Sequence, residues 1–213
     1  MCIEFKNIEL LRLDKIILTD VNTVFSKGLN LIYGSSGSGK TSLLKLINLL
    51  ISPNRGSIFY KKKDIQSFDT ARWRSNCILT NQTTIFAEGS VMENILLPFS
   101  FKVHKSKTTD NNLLESLLYR FNLTKDILDK NIKKLSGGEA QRIALIRSIL
   151  LKPEIFLFDE PTSALDYSTQ ENVFSYLKEL SKKHICIVAS HSKDAKKYAD
   201  FIFSIEEGKL KNV

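Results

Sequence analysis

What is missing narrows the field first. Cysteine is scarce: Cys2, Cys77 and Cys186 lie scattered over 213 residues without metal-ligand spacing. That argues against a disulfide framework or a zinc module and for plain thiols in a reducing cytosol. No apolar run reaches membrane-spanning length, since Lys45 and Asn48 interrupt the one after residue 40 and Arg147 the one at 143–151. Met1-Cys2-Ile3-Glu4-Phe5 has no basic segment leading into a hydrophobic one, so no secretory signal is expected. Internal repeats and low-complexity linkers are absent. The charge surplus of +8 is dispersed over residues 61–63, 102–107, 130–134 and 193–197. Without aromatic interleaving or a helix-turn-helix pattern it reads as solvated faces, compatible with a nearby anionic membrane surface, and no specific nucleic-acid binding is expected.

Against that background one stretch stands out. Leu29 to Tyr33 is an apolar run of strand length. Gly34-Ser35-Ser36-Gly37-Ser38-Gly39-Lys40-Thr41-Ser42 follows, and an amphipathic pattern, Leu43 to Ile47, leaves it. A G-x-x-x-x-G-K-[ST] phosphate cradle requires this strand, loop and helix context. Glycines let successive N–H groups turn inward, and the helix aims its positive end at the same point. Lys40 then supplies a point charge to the outer phosphates and the Thr41 hydroxyl a ligand for Mg²⁺. The bare pattern arises by accident on the order of 1% of the time in a chain this long, and the flanking elements lower that further.

Around the cradle, Ile3 to Phe5, Ile16 to Leu18 and Val21 to Phe25 read as short strands punctuated by Asp14-Lys15 and Asp20. The helix after Lys40 is expected to run to about Leu50. Ser57 to Tyr60 and Cys77 to Thr80 are further strands, the second leading to Asn81-Gln82. Ser90-Val91-Met92-Glu93 is a capping box for a helix ending before Pro98, and residues 100–110 read as a polar loop. Leu113, Leu114, Leu117, Leu118 and Phe121 share one helical face. A helix from Glu139 to Leu151 precedes the apolar strand Glu154 to Phe158, which delivers Asp159-Glu160. Ser168 to Glu171 reads as another capping box, opening a helix to about Lys182. Ile185 to Ala189 is a buried strand leading to Ser190-His191-Ser192, and Phe201 to Ile205 closes the domain. His104 and His184 lack any chemical setting and are expected at the surface. The pattern predicts one α/β domain over 1–213: a mixed sheet core with an antiparallel β edge, at about 1–82 and 153–213, and an inserted small helical subdomain at about 83–152.

Carboxylates at the end of an apolar strand are costly without work or partners. Asp159, beside a phosphate loop, reads as the group that holds Mg²⁺ through water. Glu160 points differently and can address a water, which hydrolysis at a γ-phosphate needs. His191, at the end of the next buried strand, is placed for a hydrogen bond to the γ-phosphate. Leu135-Ser136-Gly137-Gly138-Glu139 repeats the logic of the first loop, with small residues and exposed N–H groups at a helix start. Either it is only a helix cap or it belongs to a site built across two molecules.

Taken together, Gly34 to Thr41 resembles Walker A, Gln82 the Q-loop glutamine and Leu135 to Glu139, with Ala140-Gln141-Arg142, the ABC signature. Ile155 to Glu160 resembles Walker B, Ser163-Ala164-Leu165-Asp166 the D-loop and His191 the switch histidine. All stand in family order over about Ile3 to Leu210, so the chain resembles the ATP-binding subunit of an ABC transporter. That resemblance implies a P-loop NTPase of the ABC ATPase type with a RecA-like core, forming a head-to-tail homodimer around two ATP molecules and Mg²⁺. Lys40, Thr41, Gln82, Asp159, Glu160 and His191 come from one chain; Ser136, Gly137 and Gly138 come from the other. Gln82 binds Mg²⁺ and water and links the site to a groove against a separate transmembrane permease, while Asp166 lies at the dimer seam. The chain is then cytoplasmic and peripheral on the inner face of the cell membrane.

One departure concerns the early loop, Leu10-Leu11-Arg12-Leu13-Asp14, which offers no aromatic to stack on adenine. Base selectivity is left open, GTP included, and Tyr33, in the strand beneath the phosphates, is not expected to substitute. Asp129 to Ser136, Ala144 to Arg147, Thr84 to Phe86 and Val91 to Ile95 resemble the iron-export branch of bacterial ABC ATPases. Asn94 to Pro98 equally resembles lipoprotein-releasing and peptide exporters. A soluble ABC ATPase of DNA repair or translation would need long coiled coils or two units in one chain, whereas the span from Gln82 to Ser136 is short and lacks heptads. A non-hydrolysing sensor would have little use for both Asp159 and Glu160.

Overall fold

In the computed structural model, which describes residues 1–13 and 15–213, the chain opens as a long hairpin of β1 (Cys2–Arg12) and β2 (Lys15–Ser26). These strands are longer than the sequence suggested. Asn7 and Asp20 adopt left-handed backbone (φ 50° and 45°) and register shifts interrupt the ladder around Ile8 and Leu10, which breaks the alternation that marks a strand. Asn22 patches the irregularity: its carbonyl accepts the Asn7 N–H at 2.9 Å and its amide donates to the Asp20 carboxylate at 2.7 Å. Asp14 lies outside the described residues.

β3 (Gly28–Tyr33) runs into the glycine-rich loop and α1 (Lys40–Ile47), followed by β4 (Arg55–Tyr60), β5 (Lys63–Asp64), α2 (Thr70–Asn76) and β6 (Cys77–Thr80). Three helices come next, α3 (Val91–Leu96), α4 (Asn111–Arg120) and α5 (Gly137–Leu150). The chain closes with β7 (Ile155–Asp159), α6 (Tyr167–Ser181), β8 (Ile185–Ser190), β9 (Phe201–Glu206) and β10 (Lys209–Asn212). One sheet is antiparallel, in the order β2-β1-β4-β5; the other runs β10-β9-β3-β8-β7-β6, parallel except for β10 at its edge. The mixed sheet and antiparallel edge match the sequence expectation.

The central strands are apolar on both faces because both faces are covered. Ile155, Leu157, Ile185 and Ile187 pack with the antiparallel sheet and α1. Phe156, Phe158, Cys186 and Val188, their alternate neighbours, pack with the helices α3 to α6. Parallel register sets Tyr33 beside Ser190 and Asp159 beside Ala189, so the C-terminal ends of β3, β7 and β8 meet at one edge. In an open α/β sheet that edge is where ligands bind.

Four local readings need correction. α1 stops at Ile47, not near Leu50, because Leu49 turns left-handed (φ 58°) and α2 takes the last carbonyls. The Trp73 indole N–H donates to Ile47 O at 2.7 Å, and the Arg74 guanidinium donates to Asn48 O at 3.2 Å and Leu49 O at 2.7 Å. α6 starts at Tyr167, capped by Asp166 rather than Ser168: the carboxylate accepts the Thr169 N–H at 3.0 Å and the hydroxyls of Ser168 and Thr169 at 2.7 and 2.8 Å. An ionised carboxylate simply outcompetes the serine as cap. α5 starts at Gly137, two residues earlier than expected, because Ser136 and Glu139 close a capping box around the glycines. Finally, His104 is buried and bonds through Nδ1 to Pro98 O at 2.8 Å, and His184 lies half-buried, edge-on to the Phe156 ring. Neither is a surface residue.

Candidate active site

The glycine-rich loop leaves the end of β3 and feeds the start of α1. Gly39, the residue before the helix, has φ 107°, and a Cβ on Gly34 would collide with Ile205 and Ser38, so both positions need the missing side chain. The other five α-helices each begin with a side-chain cap, from Asp69, Ser90, Asp110, Ser136 and Asp166. α1 alone has none, and no acid sits in its first turn. Its orphan N–H groups are therefore left for an anion.

That helix start opens on a cavity of about 440 Å³ lined by Ser35, Ser36, Gly37, Gly39, Lys40, Thr41, Ser42, Gln82, Asp159, Glu160 and His191, with Ile17 of β2 as its apolar wall. A larger space of about 970 Å³ adjoins it, sharing Ile17, Ser35, Ser36 and Gly37 and adding Gly34, Ser38, Ile16, Tyr33 and the lysines 15, 209 and 211. Lys40 is buried; its ammonium donates to Gly34 O at 2.8 Å and Ser35 O at 2.9 Å and stands 3.8 Å from Glu160 Oε1. The Thr41 hydroxyl donates to Asp159 Oδ1 at 3.1 Å. Asp159 and Glu160 are only 4% and 8% exposed. Burial holds Asp159 above the ordinary carboxylate value, and the bond from Thr41 offsets part of that.

Glu160 sits in left-handed backbone (φ 47°), a costly conformation for a residue with a side chain. It is held from every side. Its N–H donates to Ala189 O at 2.9 Å, its carbonyl accepts the Gln141 amide at 2.8 Å, and its carboxylate meets His191 Nδ1 at 2.9 Å and the Ser190 hydroxyl at 3.4 Å. The turn aims the carboxylate into the cavity instead of continuing the alternation of β7.

The structure thus brings together Gly34 to Ser42, Gln82, Asp159, Glu160 and His191. It does not bring Ser136, Gly137, Gly138 or Asp166 into the cavity; these lie at the starts of α5 and α6. Tyr33 borders the larger space with the Lys196 ammonium over its ring at 4.0 Å. Of the early loop, Leu10 to Arg12 belong to β1 and Leu13 is fully exposed. Two contributors were not singled out from sequence, Ser190 and Gln141. A glutamine just ahead of the apolar run Ile143 to Ile146 was the available signal for the second.

A glycine-rich loop and an uncapped helix start at the end of a parallel strand, beside a buried carboxylate pair, are the architecture of a P-loop nucleoside triphosphatase. Residues 18–163 match the ABC transporter family model, and the chain belongs to that family. It is 33% identical over 207 residues to the Escherichia coli (strain K12) protein named "Probable iron export ATP-binding protein FetA", covering 96% of this chain and 91% of that one. It is 30% identical over 214 residues to "Phosphate import ATP-binding protein PstB" of Saccharolobus solfataricus, covering 92% and 81%. A solved dimeric structure of a bacterial ABC transporter cassette superposes with a TM-score of 0.86 at 25% identity, covering 98% of this chain and 96% of that one. The chain is accordingly an ABC transporter ATP-binding subunit, an ATPase of a family that binds ATP and for which Mg²⁺ is the usual cofactor. The readings as a DNA-repair or translation ATPase, or as a sensor, are not favoured. Among the described residues no helix is long and apolar enough to cross a membrane. The donor set suits the cofactor: a hydroxyl, a carboxylate and an amide carbonyl are the hard oxygens that Mg²⁺ prefers.

Proposed function

We propose that each nucleotide is caged by two copies of this chain. In one chain, the backbone of residues 34–42 and the Lys40 ammonium hold the phosphates, and Thr41, Asp159 and Gln82 supply oxygens to Mg²⁺. Mg²⁺, when bound, neutralises charge on the phosphate oxygens. Glu160 takes a proton from the attacking water, and the Glu160–His191 contact holds the carboxylate while leaving a ring nitrogen for the γ-phosphate. Ser136, Gly137 and Gly138 of the other copy close the cage, and Asp166 stands at the seam.

One observation carries this reading: the uncapped start of α1 and both carboxylates share a cavity to which the second anion-type loop contributes nothing within its own chain. The division into a core at about 1–82 and 153–213 and a helical lobe at about 83–152 belongs to the same proposal, as does a peripheral place on the cytoplasmic face of the membrane. For cargo, the likeness of residues 84–86, 91–95, 129–136 and 144–147 to the iron-export branch favours an exporter of a metal ion, with lipid, lipoprotein or peptide cargo next. The named iron-export relative supports that direction and the phosphate importer argues against reading it from similarity alone.

The test is Glu160→Gln with saturating Mg²⁺-ATP. Turnover falls by about 10²–10⁴-fold while ATP stays bound and the protein elutes as a dimer. A variant that remains monomeric at high concentration refutes the two-chain cage.

A further inference from the structure

We propose that Gln141 is a positioning residue that ties the dimer-facing start of α5 to the carboxylate-bearing strand end of its own chain. This rests on reading Glu160 as the group that activates water and Ser136 to Gly138 as the part that faces the partner's nucleotide.

Gln141 is buried, 7% exposed, and stands two residues ahead of the apolar core run Ile143 to Ile146 on the same helix. A buried amide needs partners for two donors and an acceptor, and this one finds all of them in a single loop. Its Nε2 donates to Glu160 O at 2.8 Å and to Ser163 Oγ at 3.3 Å; its Oε1 accepts the Ala164 N–H at 3.1 Å. The fork therefore spans residues 160–164, the turn in which Glu160 holds its left-handed backbone. The other bond to that carbonyl, from the Ser163 N–H, is long at 3.3 Å. Gln141 supplies the shorter contact that fixes the peptide following the catalytic carboxylate.

The helix makes this contact directional. Ser136 caps α5, and Gln141 stands five positions further on, about 7.5 Å of rise. Within that distance the backbone is already tight against the same loop: a Cβ on Gly138 would stand 3.0 Å from Ala164 O. A helix is stiff over little more than one turn, so a shift of its start when the partner's nucleotide binds reaches the 160–164 loop through the amide. Nucleotide engagement at one site is thereby linked to carboxylate placement at the other, inside one chain.

The experiment uses the full-length protein with Mg²⁺-ATP. Gln141→Met keeps the volume and removes all three bonds; Gln141→Glu keeps the acceptor for the Ala164 N–H and removes both donors. Both variants are expected to lose ~10- to 100-fold in kcat, the scale of a small misplacement of a reacting group. ATP affinity should stay within ~3-fold and the ATP-induced dimer should persist, while the Hill coefficient of hydrolysis falls below the parental value as coupling between sites is lost. Parental kcat and cooperativity in either variant overturn the role of Gln141. So does a loss confined to thermal stability or ATP binding with kcat of the bound protein unchanged, since a merely structural residue would behave that way. A parent protein that hydrolyses ATP as a monomer is a different failure: it removes the two-chain cage itself, and this proposal with it.

Discussion

The Lys40 ammonium and the Glu160 carboxylate stand 3.8 Å apart within the cavity, and the ammonium donates to the carbonyls of Gly34 and Ser35 in its own loop. The loop thus holds its cation in place before any phosphate arrives, which limits the reorganisation that binding demands. Charge-assisted hydrogen bonds of this kind contribute roughly 1.5–3 kcal/mol, so Lys40→Ala should weaken ATP binding by about 10- to 100-fold in titration calorimetry. Binding at parental affinity would place the phosphates elsewhere.

Ser136→Arg tests the second half of the cage without touching the first. Each chain should still bind nucleotide with parental affinity, because Ser136 does not line the cavity. The long cation blocks closure, so ATP-dependent dimerisation and hydrolysis should both fall to background in light scattering and phosphate-release assays. Loss of the serine cap also lowers the thermal midpoint by roughly 2–4 °C.

With Asp159 as a proposed Mg²⁺ ligand, cation binding should be sensitive to acid. Burial raises its pKa above the ordinary 3.8, so in the window just above that value the folded chain keeps a proton the unfolded chain has released. The sign follows: as pH rises through that window, this group's contribution to the stability of the nucleotide-free protein falls, and its readiness to bind a cation grows. Mg²⁺-ATP binding measured in buffers of different ionisation enthalpy should release a proton at mildly acidic pH, and Asp159→Asn should abolish that release. Proton release that survives the substitution would assign it to another group.

Asp166 behaves oppositely. Bonds from the Thr169 N–H, then from the Ser168 and Thr169 hydroxyls, hold its carboxyl well below the usual carboxylate range. Its support of α6 is therefore present above the ordinary carboxylate pKa and is lost as pH falls through the depressed value. Asp166→Ala should lower the midpoint of thermal unfolding at neutral pH, while Asp166→Asn, which still caps, should retain most of it. Parental midpoints for both variants would show that the cap contributes nothing.

Those residues also mark how far the sequence could be read. The cradle and the acidic strand end were legible because each couples a chemical motif to a change of hydrophobic period, from an apolar strand to a turn and then a helix. Where backbone geometry cuts across the pattern, reading failed. Left-handed Asn7 and Asp20 disguised two long strands as three short ones. A carboxylate two residues ahead of the expected cap took that place from Ser168. His104 was drawn inward by Pro98 O, six residues back, in a segment whose composition reads as a polar loop. Gln141 stood in plain view within a recognisable motif, yet its value comes from the 160–164 loop, a partner no local window contains.

The left-handed turn at Glu160 has a last consequence. A glycine there would sit at ease, and the fold would gain from the exchange, but a bare backbone cannot handle a proton. On the role proposed for Glu160, the molecule is accordingly less robust at its working centre than its own architecture would allow, and selection for durability alone would erase the very group assigned to activate water.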